Sequence, residues 1–118
     1  MNQLDLMRKR NDSARLLEFT SRGHRNCVRL NCNNGIRHEM KKAELCYYLK
    51  QAGIEFCTEA EFYGKKTGRA DVFDLDNFRA IEIIDSETLE SIEKKTKKYP
   101  CPVSVLSVNG DAKEVVEC

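Results

Sequence analysis

The sequence predicts an α/β fold of order αβββαβ behind an N-terminal helical extension, and three observations carry that reading. Residues 37–52 set apolar side chains at helical spacing. Three segments rich in β-branched and aromatic residues follow, at 54–62, 69–75 and 78–84. A second helical stretch ends at Pro100 and Pro102, beyond which Val103, Val105, Leu106 and Val108 read as a last strand.

Taken in order, Leu4, Met7, Ala14 and Leu17 recur at helical spacing over residues 3–20, with Asn11 and Asp12 interrupting the pattern. Residues 21–36 are polar, with Gly23, Asn33, Asn34 and Gly35 as turn formers and a short strand around Val28 to Leu30. In the 37–52 helix, Met40, Ala43, Tyr47, Leu49 and the Leu45/Tyr48 pair make a broad apolar stripe, and Gly53 supplies the C-terminal cap. Gly64-Lys65-Lys66-Thr67-Gly68 joins the first two strands, and Asp76-Asn77 makes a tight hairpin-type turn. Val72, Phe73, Ile81, Ile83 and Ile84 predict a sheet covered on both faces. Asp85 or Ser86 caps a helix reaching Tyr99, with Leu89, Ile92 and Tyr99 on its buried side. Asn109-Gly110 is a turn, and residues 113–116 are read as an edge strand.

A length of 118 residues suits one domain, divided into a basic extension, 1–36, and an α/β core, 37–118. The composition, 41% hydrophobic and 33% charged, is that of a soluble globule. No apolar run approaches the ~18 residues of a membrane helix. Met1 to Arg10 lacks the apolar block of a secretory signal, so a cytoplasmic location is expected. The six cysteines are then expected to be reduced and mostly buried. The net charge of +1 hides an asymmetry: ten basic residues against four acidic ones up to Lys42 leave +6 there and −5 in the remainder. A basic end on an acidic core suggests a polyanion partner, with a solvated helix face as the alternative.

Asp71 and Glu82 stand out because each lies inside a segment that otherwise reads as a buried strand. An ionised carboxylate is costly there unless it is paired or binds a cation. With Glu44 on the preceding helix, the two make a candidate divalent-metal site. For Asp71 the alternative is a pairing with Arg69, or the capping of a turn. Glu39 competes with Glu44 for the helix position. Glu59 offers a further ligand, although a surface role fits it better.

The element order and its acids resemble the PD-(D/E)xK nuclease superfamily, whose restriction-endonuclease-like core has a mixed central sheet flanked by helices. The run Arg37-His38-Glu39-Met40-Lys41-Lys42-Ala43-Glu44-Leu45-Cys46, with Thr58-Glu59-Ala60, Gly68-Arg69-Ala70-Asp71 and Glu82-Ile83-Ile84-Asp85-Ser86-Glu87, is most similar to a small archaeal or archaeal-virus branch. The resemblance covers roughly residues 37–108. It implies that Asp71, Glu82 and Glu44 are catalytic acids holding Mg²⁺ (or Mn²⁺), that the metal activates water beside a scissile phosphate, and that the substrate is DNA. A homodimer is expected, because one small domain offers a narrow active surface.

The departure from the family pattern is Ile84, where such nucleases carry lysine. Lys41, Lys42, Lys65 and Lys66 are substitutes to consider, with Lys41 nearer than Lys42 to the helical face of Glu44, and Glu87 is a further acid within reach. A catalytically inactive nuclease-fold module, binding nucleic acid or a protein, is the second reading. A structural protein whose acids satisfy arginines such as Arg69 is the third. His24, Cys27, Cys32 and His38 are four potential zinc ligands at a spacing wider than the common knuckles. Lys94, Lys95, Lys97 and Lys98 give the last helix a basic face suited to phosphate contact or to plain solvation.

Overall fold

The computed structural model describes residues 1–64 and 68–118. The chain forms α1 (Gln3–Ala14), α2 (Phe19–Arg22), α3 (Ile36–Gln51), β1 (Phe56–Glu61), β2 (Arg69–Asp74), β3 (Arg79–Ile84), α4 (Leu89–Thr96), β4 (Val103–Ser107) and α5 (Ala112–Glu117). The four strands make one mixed sheet of order β1-β2-β3-β4. β1–β2 and β2–β3 are antiparallel, and β3–β4 is parallel, with α4 in the crossover that a parallel pair requires. The αβββαβ order is therefore present, and α5 adds a helix at its end.

Each face of the sheet carries its own apolar layer. One layer joins Cys57, Phe62, Phe73, Leu75 and Ala80 to Ala14, Leu17 and Tyr99. The other joins Phe56, Val72, Ile81, Ile83 and Leu106 to Leu45, Cys46 and Leu49 of α3 and to Ala112 of α5. The N-terminal extension is thus part of the globule. Leu17 pairs with Phe62 beside β1, and Arg10 binds Asp76 (2.7 Å) and Glu55 (3.0 Å) across the end of the sheet.

Local chemistry sets the helix ends. Gly53, at φ +75°, closes α3 with paired bonds from the Gly53 N–H to the Lys50 carbonyl and from the Ile54 N–H to the Leu49 carbonyl. Several expectations need correction. Residues 3–20 break into α1 and α2. No strand forms at Val28 to Leu30. Thr88, and not Asp85 or Ser86, caps α4, because the helix starts at Leu89 and the Thr88 hydroxyl accepts from the Ser91 N–H (3.1 Å). Residues 113–116 are helical, because Asp111 accepts from the N–H groups of Lys113 and Glu114 and starts α5. The connection through Lys65, Lys66 and Thr67 lies outside the described residues. All six cysteines are free, but only Cys46 and Cys57 are buried, with Cys101 half-buried. Burial pushes the Cys46 thiol up to about 12 and the Cys57 thiol up to about 11, so both stay protonated.

The β2–β3 turn rests on one buried acid. Asp74 Oδ1 accepts from the N–H groups of Asp76 and Asn77 (3.0 Å each), and Oδ2 accepts from the Asn77 amide (2.8 Å) and Arg79 Nε (3.2 Å). Arg79 in turn donates to the Val115 carbonyl of α5 (2.8 Å). Asp74→Ala is expected to cost about 2–4 kcal/mol in urea unfolding by stranding these donors and a buried guanidinium. Asp74→Asn is expected to recover part of the loss.

Candidate functional site

Three carboxylates stand side by side where the sheet opens. The β1–β2 ladder pairs Thr58 with Val72 and Ala60 with Ala70 but skips the pair between them, Glu59 and Asp71. The β2–β3 ladder ends at Val72–Ile81, one step before Asp71 would meet Glu82. Glu59, Asp71 and Glu82 therefore occupy one level on three adjacent strands.

The backbone changes course at this level. Cys57 and Ala60 both face the Tyr99 layer although they are three residues apart, and so do Ala70 and Phe73. Strict alternation forbids this, so β1 and β2 each slip by one at Glu59 and Asp71. Glu59 absorbs the slip at φ +50°, a left-handed conformation uncommon for a residue with a Cβ. Arg29 holds it there, its Nη2 donating to the carbonyls of Thr58 (2.7 Å) and Glu59 (3.1 Å).

Side chains replace the missing ladder between β2 and β3. The Asp71 N–H donates to Glu82 Oε2 (3.3 Å), and the Ile83 N–H donates to Asp71 Oδ2 (2.8 Å). Helix α3 closes one side with His38, Glu39 and Lys42, all buried. His38 donates through Nδ1 to Glu39 Oε2 (2.7 Å) and faces Asp71 Oδ2 through Nε2 (3.3 Å). Glu39 also accepts from the Asn31 N–H (2.6 Å) and the Asn34 amide (3.2 Å). Lys42 Nζ lies 2.6 Å from Glu39 Oε1 and 3.9 Å from Glu59 Oε1. The first contact is an ion pair between Lys42 and Glu39, and among the described residues Glu59 Oε1 has no hydrogen-bond partner. On the other side of the sheet, the Tyr99 hydroxyl donates to Glu82 Oε1 (2.7 Å), and the half-exposed Lys95 of α4 approaches the same oxygen (3.5 Å).

Four buried carboxylates thus face His38, Lys42 and Lys95, an excess of formal negative charge. The protonation equilibria reflect it. Hydrogen bonding to Asp71 raises the His38 pKa to about 9 against the opposing cost of burial, so the ring is an imidazolium at neutral pH. Burial, then the Asp71 charge, raise Glu82 to about 7. Asp71 is held below the usual carboxylate range although burial acts against it, first through His38.

The expected set of Asp71, Glu82 and Glu44 is brought together only in its first two members. Glu44 projects from the outer side of α3 and pairs with Lys41 (3.0 Å), which also donates to the Gly110 carbonyl (2.9 Å). Glu39 is the helix acid at the fork. Arg69 pairs with Glu61 (2.8 Å) and not with Asp71. Glu59 is buried and not on the surface. Lys42 is the lysine of α3 that enters the cluster, and Lys65 and Lys66 lie outside the described residues. Glu87 is exposed beside Asp85. His38 is committed to the two acids, which separates it from the cysteines as a zinc ligand. Lys42 and His38 were readable as the continuation of the Leu49–Leu45 stripe at four- and three-residue steps. Nothing in the local sequence pointed to Tyr99 or Lys95 as partners of Glu82.

No protein-family model, curated protein or solved structure matches the chain. Among the described residues, no three His, Cys, Asp or Glu side chains form a ready-made metal cage.

The titrations predict the pH dependence of stability in the absence of divalent ions. Glu82 takes up a proton on folding between 4.5 and about 7, so stability falls as pH rises through that interval. His38 contributes fully below 6.5 and loses its contribution as pH climbs to about 9. Both trends have the same sign. Thermal or urea unfolding in chelator is expected to show stability falling by on the order of 2 kcal/mol between pH 5 and pH 9. A flat or rising profile would contradict the charged network.

Proposed function

We propose that the chain is a divalent-metal-dependent phosphodiesterase acting on DNA, as its resemblance to PD-(D/E)xK nucleases implies. The observation that carries the reading is the row of Glu59, Asp71 and Glu82 where the β2–β3 ladder ends, with the buried Lys42 set between Glu39 (2.6 Å) and Glu59 (3.9 Å). The donor set fits Mg²⁺ or Mn²⁺, which take oxygen ligands. Mg²⁺ commonly binds one or two carboxylates and completes its shell with water and substrate phosphate, so a closed protein cage is not required. Asp71 Oδ1 has no hydrogen-bond donor among the described residues, and Glu59 Oε1 is orphaned. Asp71, Glu82 and Glu59 are the residues that would hold the ion. When bound, it would lower the pKa of an attacking water and stabilise charge on the phosphoryl oxygens.

The chain's own residues have separate roles in this reading. His38 keeps one oxygen of Asp71 occupied and so fixes the direction of the other. Tyr99 holds Oε1 of Glu82, and the Asp71 N–H orients Oε2. Lys42 supplies the positive charge that Ile84, half-buried on β3, cannot. Lys95 reaches the Glu82 carboxylate (3.5 Å), and the neighbouring Lys94, Lys97 and Lys98 are exposed and suited to contacting backbone phosphates.

Incubation of the protein with branched, duplex and single-stranded DNA and Mg²⁺ or Mn²⁺ tests the reading. Cleavage is expected, and Asp71→Ala or Glu82→Ala should lower it by at least ~100-fold. Lys42→Met is expected to lower it comparably while retaining DNA binding. Glu44→Gln should stay within about 3-fold of the parent, since a surface position contributes little. Salt-sensitive DNA binding without cleavage, unaltered by these changes, would instead favour the inactive nucleic-acid-binding module.

A further inference from the structure

Helix α3 turns one face to the sheet and leaves a row of apolar side chains exposed on the opposite face. The inner face presents His38, Lys42, Leu45 and Leu49 to the sheet. Ile36, Met40, Ala43 and Tyr47 repeat the same four-three-four spacing two residues earlier, which at 3.6 residues per turn turns them roughly 160° away. Ile36 is 76% exposed, Met40 64% and Tyr47 61%, and Ala43 between them is partly open. Beside them lies a groove lined by Met40, Ala43 and Val108, with Arg37, Lys41, Glu44 and Asn109 as its polar groups. Large apolar side chains gathered on one exposed face of a helix mark a surface that a partner can cover.

We propose that the cover is the same face of a second copy of this chain, packed antiparallel. In that register, Ile36 of one copy meets Tyr47 of the other, and Met40 meets Ala43, whose small side chain admits the closer approach. The flanking charges choose the direction. Arg37 and Glu44 lie seven residues apart on the same edge of the stripe, with side chains 60% and 44% exposed. Antiparallel packing brings each Arg37 beside the partner's glutamate at position 44, twice in one symmetric interface. Parallel packing would set this edge against the opposite edge of the partner's stripe and leave the two charges without each other. Arg37 pairs with Asp85 (3.4 Å) at the surface, a contact that adapts at little cost, and Glu44 is held by the largely buried Lys41 (3.0 Å), which also binds the Gly110 carbonyl.

The apolar face is on the order of 400 Å², within the range that marks interaction sites and about half of what a standard interface buries per partner. The association is therefore weak, with a Kd in the range of about 1–100 µM. The catalytic side chains project from the opposite face of α3, so the dimer stands or falls independently of the proposed nuclease chemistry.

Sedimentation equilibrium of the full chain from about 1 µM to about 1 mM tests the pairing. A monomer–dimer equilibrium is expected. Met40→Glu should weaken it by more than ~100-fold without lowering the melting temperature, because the site is exposed. Arg37→Glu and Glu44→Arg should each weaken it by about 10-fold or more, and the double exchange should return it to within about 3-fold of the parent. A chain that stays monomeric throughout, or a dimer indifferent to Met40→Glu, overturns the proposal. Failure of the double exchange to restore association overturns the antiparallel register.

Discussion

A carboxylate on a buried strand must find donors, and the whole central region is arranged around three such groups at one level. Asp71 and Glu82 take N–H groups that the β2–β3 ladder would otherwise have used. The β2–β3 ladder therefore ends at Val72–Ile81, one step before the level that the three acids share. Glu59 enters the same level because β1 slips beside Asp71, at the cost of a left-handed backbone conformation of about 1 kcal/mol or more. Arg29 offsets that cost by binding the carbonyls on either side of the slip.

Burial then dictates the surroundings. Removing one partner from a buried ion pair costs roughly 3–5 kcal/mol, so the network tolerates no isolated member. α3 brings two cations and a further acid, and the Tyr99 and Lys95 side chains answer Glu82 from the opposite layer. Four acids against three cations still leave negative charge in excess. The free protein meets it by holding a proton on Glu82 near neutral pH. A divalent cation beside the fork would supply the same compensation, which links the electrostatics of the fold to the proposed chemistry.

Much of the fold was legible in the sequence because it rests on periodicity. The αβββαβ order, the Gly53 cap and the two-sided sheet follow from spacing and turn chemistry at named residues. Residues 113–116 were misread because Val115 and Val116 favour a strand, whereas the Asp111 cap and the apolar face of α3 hold them in a helix. In the site, Asp71 and Glu82 were legible as acids in apolar strands. Glu59 was not, because its burial depends on a slip that breaks the alternation used to read a strand. Glu39 and Lys42 lost out to Glu44 because two apolar stripes on α3 left its inward direction ambiguous. That ambiguity is physical: one face of the helix carries buried charges to the sheet, and the other exposes Ile36, Met40 and Tyr47.

The central claim is that this opened, acid-lined fork binds a divalent cation. Anomalous diffraction from crystals soaked in Mn²⁺ tests it most directly. The expected result is a peak within about 2–2.5 Å of carboxylate oxygens of both Asp71 and Glu82. A fork left without density, with Mn²⁺ found only at surface carboxylates such as Glu44, would contradict it.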